Sequence, residues 1–167
     1  MLKPQDLLVL LRLALDTNGE KPTFQALAAE LGMSASEIHA SVQRAGESGL
    51  VDQQSRAVNR GNLLEFLLHG VRFAFPARRT TLTRGVPTSY AVAPLRKSFA
   101  VDELPPVWPH PEGDTRGEGL APLYRSAPSA ALKNPKLHEW LALVDAVRAG
   151  RARERSMAAK ELTRRLS

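Results

Sequence analysis

The segment 24–51 carries hydrogen-bonding side chains at spacings that suit recognition of nucleic-acid bases. On a helix that buries Ile38 and Val42, which stand four residues apart, the side chains of Gln43 and Arg44 face outward. Glutamine pairs bidentately with adenine and arginine with guanine, each pairing giving about 1–3 kcal/mol of discrimination. The chemistry that this pattern supports is recognition by hydrogen bonds rather than bond making.

The remaining outward positions of this helix are further candidates for contact with bases. Together with the two already named, they are Ser34, Ala35, Ser36, Glu37, His39, Ala40, Gln43 and Arg44. Thr23 and Gln25 begin the preceding helix, where backbone N–H groups favour a phosphate. The alternative is a helix pair that serves only packing or partner binding.

A basic block supplies the second candidate surface. Residues 51–100 contain eight Lys or Arg and two Asp or Glu, whereas residues 1–50 contain four and six. Arg78, Arg79 and Arg84 lie in a polar stretch that we predict to be a loop, where arginines can follow phosphates or enter a minor groove. Arg56 and Arg60 extend this surface. The alternative is a solvated loop whose charges keep strand edges soluble.

The sequence contains little that indicates a catalytic site or a metal site. The chain has no cysteine, and its four histidines lack the spacing of metal ligands. Neither a glycine-rich phosphate loop nor a Ser/His/Asp arrangement can be placed. We therefore predict that the protein is not an enzyme and has no catalytic residues, metal or cofactor.

Four helices are predicted in the first 70 residues. Pro4 begins the first, which stops at Asn18-Gly19. Thr23 caps a helix over Phe24–Leu31, with Gly32 just beyond its end. Ser34 and Glu37 form a capping box for a third helix that runs to about Ser48. A fourth helix is predicted over residues 62–69.

A small hairpin is predicted next. Val71, Phe73 and Phe75 alternate with other residues, and the β-prone segment 90–93 is the expected partner strand. The basic stretch around Arg78–Arg84 would form its long tip. The predicted fold class is therefore mainly α with a small β hairpin.

The C-terminal half is divided by proline. Seven of the twelve prolines fall within residues 104–135, a density that disfavours long helices. We predict three parts: a DNA-binding domain over 1–95, a Pro-rich linker or docked strap over 96–135, and a C-terminal helical segment over 136–167. That last segment is expected to serve dimerisation or partner binding.

The phrase LAAELGMSASEIHASVQRAGESGLV resembles the winged helix-turn-helix of bacterial MarR-type transcriptional regulators. The resemblance is clear over residues 24–51 and weaker over 52–95. It implies a recognition helix over 34–48, a basic wing, and two-fold half-sites about 34–36 Å apart on DNA. Gly46 departs from a regular helix interior, where glycine costs about 1 kcal/mol relative to alanine.

Net charge +6 and a pI near 10.2 favour an anionic partner. The expected function is sequence-specific binding of double-stranded DNA by a cytoplasmic transcriptional repressor, with a possible homodimer and no membrane partner. The alternative is an antitoxin-like or adaptor protein that binds a protein partner through residues 104–167. Structured RNA is a third option, disfavoured because no aromatic residues interleave the basic loop.

Overall fold

The computed structural model describes residues 1–100 and 103–167, which form eight α-helices and a small three-stranded sheet. The helices are α1 (Pro4–Ala14), α2 (Phe24–Leu31), α3 (Ala35–Glu47), α4 (Arg60–His69), α5 (Val71–Ala74), α6 (Ala127–Lys133), α7 (Pro135–Ala149) and α8 (Ala152–Leu166). The strands are β1 (Arg79–Pro87), β2 (Pro106–Pro109) and β3 (Thr115–Leu120). The mainly helical class with a small β component agrees with the sequence prediction.

The first helix ends at Ala14, earlier than the predicted stop at Asn18-Gly19. Local signals set the ends of α2 and α3 as predicted. The Thr23 hydroxyl accepts a hydrogen bond from the Ala26 N–H at 3.0 Å and caps α2. Gly32 ends this helix with φ +65°, a left-handed conformation that favours glycine. Ser34 and Glu37 form the predicted capping box, each side chain accepting from the other residue's backbone N–H at 3.1 Å. The predictions for α2 and α3 are confirmed.

The predicted strand over residues 71–75 is wrong, because this segment forms the short helix α5 directly after α4. The Phe75 N–H donates to the Val71 carbonyl at 2.9 Å, which closes a helical turn. A strand would place Val71 and Phe73 on one face, yet Val71 is fully buried and the Phe73 side chain is 72% exposed. Three alternating residues are too few to distinguish a strand from one helical turn.

The sheet uses different segments from those predicted. β1 occupies the stretch expected to be a loop tip, and it pairs antiparallel with both β2 and β3. β2 and β3 are parallel to each other, with Val107 opposite Gly119. The expected partner strand over 90–93 is also wrong, since Ser89–Ala91 form a 3₁₀ turn. Consecutive threonines give β1 its β propensity, and its partners lie in the Pro-rich segment.

Two glycines allow the strands to approach closely. A Cβ at Gly85 would collide with the Trp108 carbonyl oxygen, and one at Gly117 would collide with the carbonyl oxygen of Pro105. The close approach of the strands therefore requires glycine at both positions.

The Pro-rich segment is docked. Val107, Trp108 and Leu120 are at most 2% exposed, and β2, β3 and α6 all lie within this segment. β1 belongs to the predicted 1–95 part and its partner strands to the 96–135 part, so the sheet joins the two. Within the described residues 103–135, the Pro-rich segment therefore packs against the rest of the chain.

The C-terminal helices complete the core. The apolar face of α7, which includes Leu137, Leu141 and Val144, is buried within this chain. Another residue of α7, Asp145, is also buried and accepts hydrogen bonds from the Thr88 hydroxyl at 2.6 Å and the Trp108 indole N–H at 2.8 Å. Burial raises the pKa of Asp145, and the nearby Arg148 opposes that shift. This network fixes the sheet to α7. Over residues 1–100 and 103–167, no helix combines the length and apolar character needed to cross a lipid bilayer.

Candidate nucleic-acid interface

α3 presents a polar stripe to solvent. Ile38 and Val42 are at most 2% exposed and hold the helix from behind. Ser36 and His39 are exposed and Gln43 is half-buried, at i, i+3 and i+7 of one outward face. The structure therefore brings three of the predicted base-facing residues onto one line.

The first turn of α3 is committed to capping. The Ser34 hydroxyl lies 3.2 Å from the Ser36 hydroxyl and also accepts from the Glu37 N–H. The Glu37 carboxylate accepts from the Ser34 N–H. Ala35 is half-buried beside them. These contacts fix the end of the helix that would enter a groove.

Arg44 does not join the outward stripe, and its prediction as a base-facing residue is wrong. Its guanidinium donates from Nε and Nη2 to the two carboxylate oxygens of Asp6, at 2.8 and 2.7 Å. The Asp6 side chain is fully buried and that of Arg44 is 21% exposed. The hydrogen bond to Asp6 raises the pKa of Arg44. One residue beyond Gln43, the helix has turned by about 100° toward α1, so Arg44 anchors α3 instead.

A tight hairpin follows α3 directly, and the sequence reasoning missed it. Val51 and Val58 form an antiparallel bridge that closes the 51–58 hairpin. The Asp52 carboxylate accepts from the backbone N–H groups of Gln54 and Ser55 at 3.0 and 2.7 Å. The hydrogen bonds from Ser55 lower the pKa of Asp52. An aspartate three residues before a serine, between two valines, is a local signal that could have indicated this turn.

Gly46 explains how the hairpin packs against α3. A Cβ at this position would collide with the Gln53 side chain, which occupies that space. From there the Gln53 side-chain amide donates to the Gln43 carbonyl at 3.1 Å. The glycine inside the helix, unexplained by sequence, therefore admits a hairpin side chain.

These elements surround a depression of about 440 Å³. Its lining includes Thr23, Phe24, His39, Gln43, Gln53 and Arg56. The His39 ring packs edge-on against Phe24, with centroids 5.6 Å apart. Four residues that were predicted separately (Thr23, His39, Gln43 and Arg56) thus meet at one place. Gln25 is exposed on the first turn of α2.

The two arginines expected to extend the basic surface are held by the protein. The Arg56 guanidinium lies over the Phe24 ring, 5.0 Å from its centroid, and donates to the Pro22 carbonyl. Arg60 donates to the carbonyls of Ala14 and Arg165, between α1 and α8. Arg60 is therefore held between these helices, which corrects its prediction as an extension of the basic surface around Arg78–Arg84.

Arg78, Arg79 and Arg84 are exposed, but they lie beside or on β1 and not on a loop tip. Arg79 forms a long ion pair with Glu118 at 3.7 Å. Arg84 lies directly opposite Arg116 of β3, which is also exposed. The sequence reasoning missed Arg116, because no local signal in the Pro-rich segment indicates that it would pair with β1.

Among the described residues, no group of three or more His, Asp or Glu side chains could hold a metal ion. His110 hydrogen-bonds Ser129 at 2.9 Å, and His138 hydrogen-bonds the Pro87 carbonyl at 2.7 Å. In comparisons with known proteins, no family model matches the chain. No curated protein and no solved structure matches it either.

Proposed function

We propose that the protein binds double-stranded DNA and acts as a transcriptional repressor. In this proposal α2 and α3 form a helix-turn-helix, α3 enters the major groove, and the 51–58 hairpin serves as a short wing. The observation that carries the proposal is the outward stripe of α3. The side-chain amide of Gln43 has no hydrogen-bond partner among the described residues, while the back of the helix is firmly packed.

The α3 region contributes little positive charge. Of the four basic residues in 1–50, Arg44 pairs with Asp6, and Arg12 pairs with Asp16 at 2.9 Å and also with Glu30. Affinity for DNA at physiological salt requires neutralised phosphates, so a second surface must supply cations.

The arginines of the sheet fit that requirement. Arg84 and Arg116 are cross-strand neighbours, and like charges directly opposite each other are destabilising unless an anion lies between or near them. Within the described residues neither guanidinium has a carboxylate partner, whereas Arg79 is partly compensated by Glu118. We therefore assign phosphate contact chiefly to Arg84 and Arg116.

The test is titration of a fluorescently labelled duplex of random sequence with the protein, at salt concentrations between about 50 and 200 mM. Fluorescence anisotropy measures the bound fraction. We expect binding that weakens steeply with salt. Double-stranded RNA of the same length is the control, because its deep and narrow major groove excludes a helix. Absence of duplex DNA binding at the lowest salt, or equal binding of both duplexes, would overturn the proposal.

A further inference from the structure

Two arginines of the surface around α3, Arg44 and Arg56, are already engaged within the chain. Arg44 is held by both carboxylate oxygens of buried Asp6. Arg56 lies over Phe24 and donates to a backbone carbonyl. The major-groove edge of guanine offers two acceptors, N7 and O6, which arginine or lysine usually satisfies with two donors. These two arginines are therefore poorly placed to select guanine.

The first turn of α3 is poorly suited to the selection of cytosine. Its major-groove edge offers an N4 amino donor, which a carboxylate accepts. Glu37 is the acidic residue on the first turn of α3, and its carboxylate already accepts from the Ser34 N–H at 3.1 Å. Breaking that bond would uncap the helix.

Gln43 has the groups that adenine requires. Its amide can donate from the NH2 group to N7 of adenine and accept from the N6 amino group at its carbonyl oxygen. Its backbone is held in place because its carbonyl accepts from Gln53 at 3.1 Å and its neighbour Val42 is buried. The half-buried methyl of Ala40, one turn earlier, is suited to contact with a thymine methyl group.

Resting on the DNA binding proposed above, we propose that Gln43 recognises adenine, so that the protein selects an A·T pair at the position facing the centre of α3. Specificity then comes from an amide, since the adjacent arginine is used to anchor the helix.

Selection from a random duplex pool tests this inference with three proteins. The native chain should enrich adenine at one position of each site. Gln43→Arg should change that position to guanine, because arginine supplies two donors. Ser156→Arg, which adds the same charge at an exposed position of α8, should leave adenine in place. Circular dichroism and thermal unfolding verify that each variant is folded.

Titration of the selected duplex and of its A·T→G·C derivative measures the preference for the A·T pair as a ratio of two affinities. The native chain should bind the A·T duplex roughly 5- to 150-fold more tightly, and Gln43→Ala should remove most of that ratio. If the native chain binds duplex DNA but enriches guanine, or if Gln43→Arg leaves the selected base unchanged, the inference fails and the proposed function stands. If no duplex is bound at low salt, both fail.

Discussion

The outward face of α3 and the exposed face of the sheet differ in what they can offer a duplex. α3 has hydrogen-bonding side chains and its one arginine is paired with Asp6, whereas β1 and β3 place Arg84 and Arg116 side by side. If the protein binds DNA as proposed, the contrast predicts a division of roles, with base selection on the helix and phosphate binding on the sheet. It also shows that an arginine next to the outward stripe of α3 can be part of the scaffold, because Arg44 is paired with buried Asp6.

The largest expected effect is a difference in stability between alanine substitutions at Arg44 and at its neighbour Gln43. Arg44→Ala leaves the buried Asp6 carboxylate without its partner, so we expect a loss of about 3 kcal/mol in the free energy of unfolding. Gln43→Ala should change stability by less than about 0.5 kcal/mol, as surface substitutions usually do. Urea unfolding of both variants measures the difference. Equal stability of the two would mean that the ion pair does not anchor α3.

The second effect concerns the sheet. Removing two phosphate contacts should lower the slope of log K against log salt by about 1.8 units, since each contact in B-DNA contributes about 0.9. We expect this for the double variant R84A/R116A, measured by anisotropy over a salt series.

The matched control for that experiment removes two exposed lysines, Lys136 and Lys160, on α7 and α8. The variant K136A/K160A has the same net charge as R84A/R116A. If the two double variants lower the salt slope equally, the net charge of the protein, and not the sheet face, determines the salt-dependent affinity.

The smallest effect tests the packing of the 51–58 hairpin on α3. Gly46→Ala should displace Gln53 from its contact with Gln43 and lower the preference for one duplex over another by a few fold. Stability should change little, because the gain in helix propensity, about 1 kcal/mol, offsets the lost contact. Competition between the selected duplex and a scrambled one gives the readout. An unchanged preference together with an unchanged hairpin would contradict this role for Gly46.

Local signals account for what could be predicted from sequence. Thr23, Ser34, Glu37 and Gly32 specify the ends of α2 and α3 through contacts within four residues. The outward positions of His39 and Gln43 follow from the periodicity of the same helix.

The errors involve partners distant in sequence. β1 pairs with β3 across about 30 residues that include several prolines, and no local pattern shows that pairing. Arg44 and Arg60 are held by groups from distant segments, at Asp6 and at Ala14. Side-chain periodicity places a residue on a helix face, but it does not show which other segment covers that face.

The division of roles is tested most directly by measuring two quantities on two variants. For Gln43→Ala and R84A/R116A, the salt slope and the affinity ratio between selected and scrambled duplexes are determined under identical conditions. The account predicts that Gln43→Ala lowers the ratio and keeps the slope, while R84A/R116A lowers the slope and largely keeps the ratio. If each variant changed the salt slope and the affinity ratio in parallel, base selection and phosphate binding would not lie on separate surfaces.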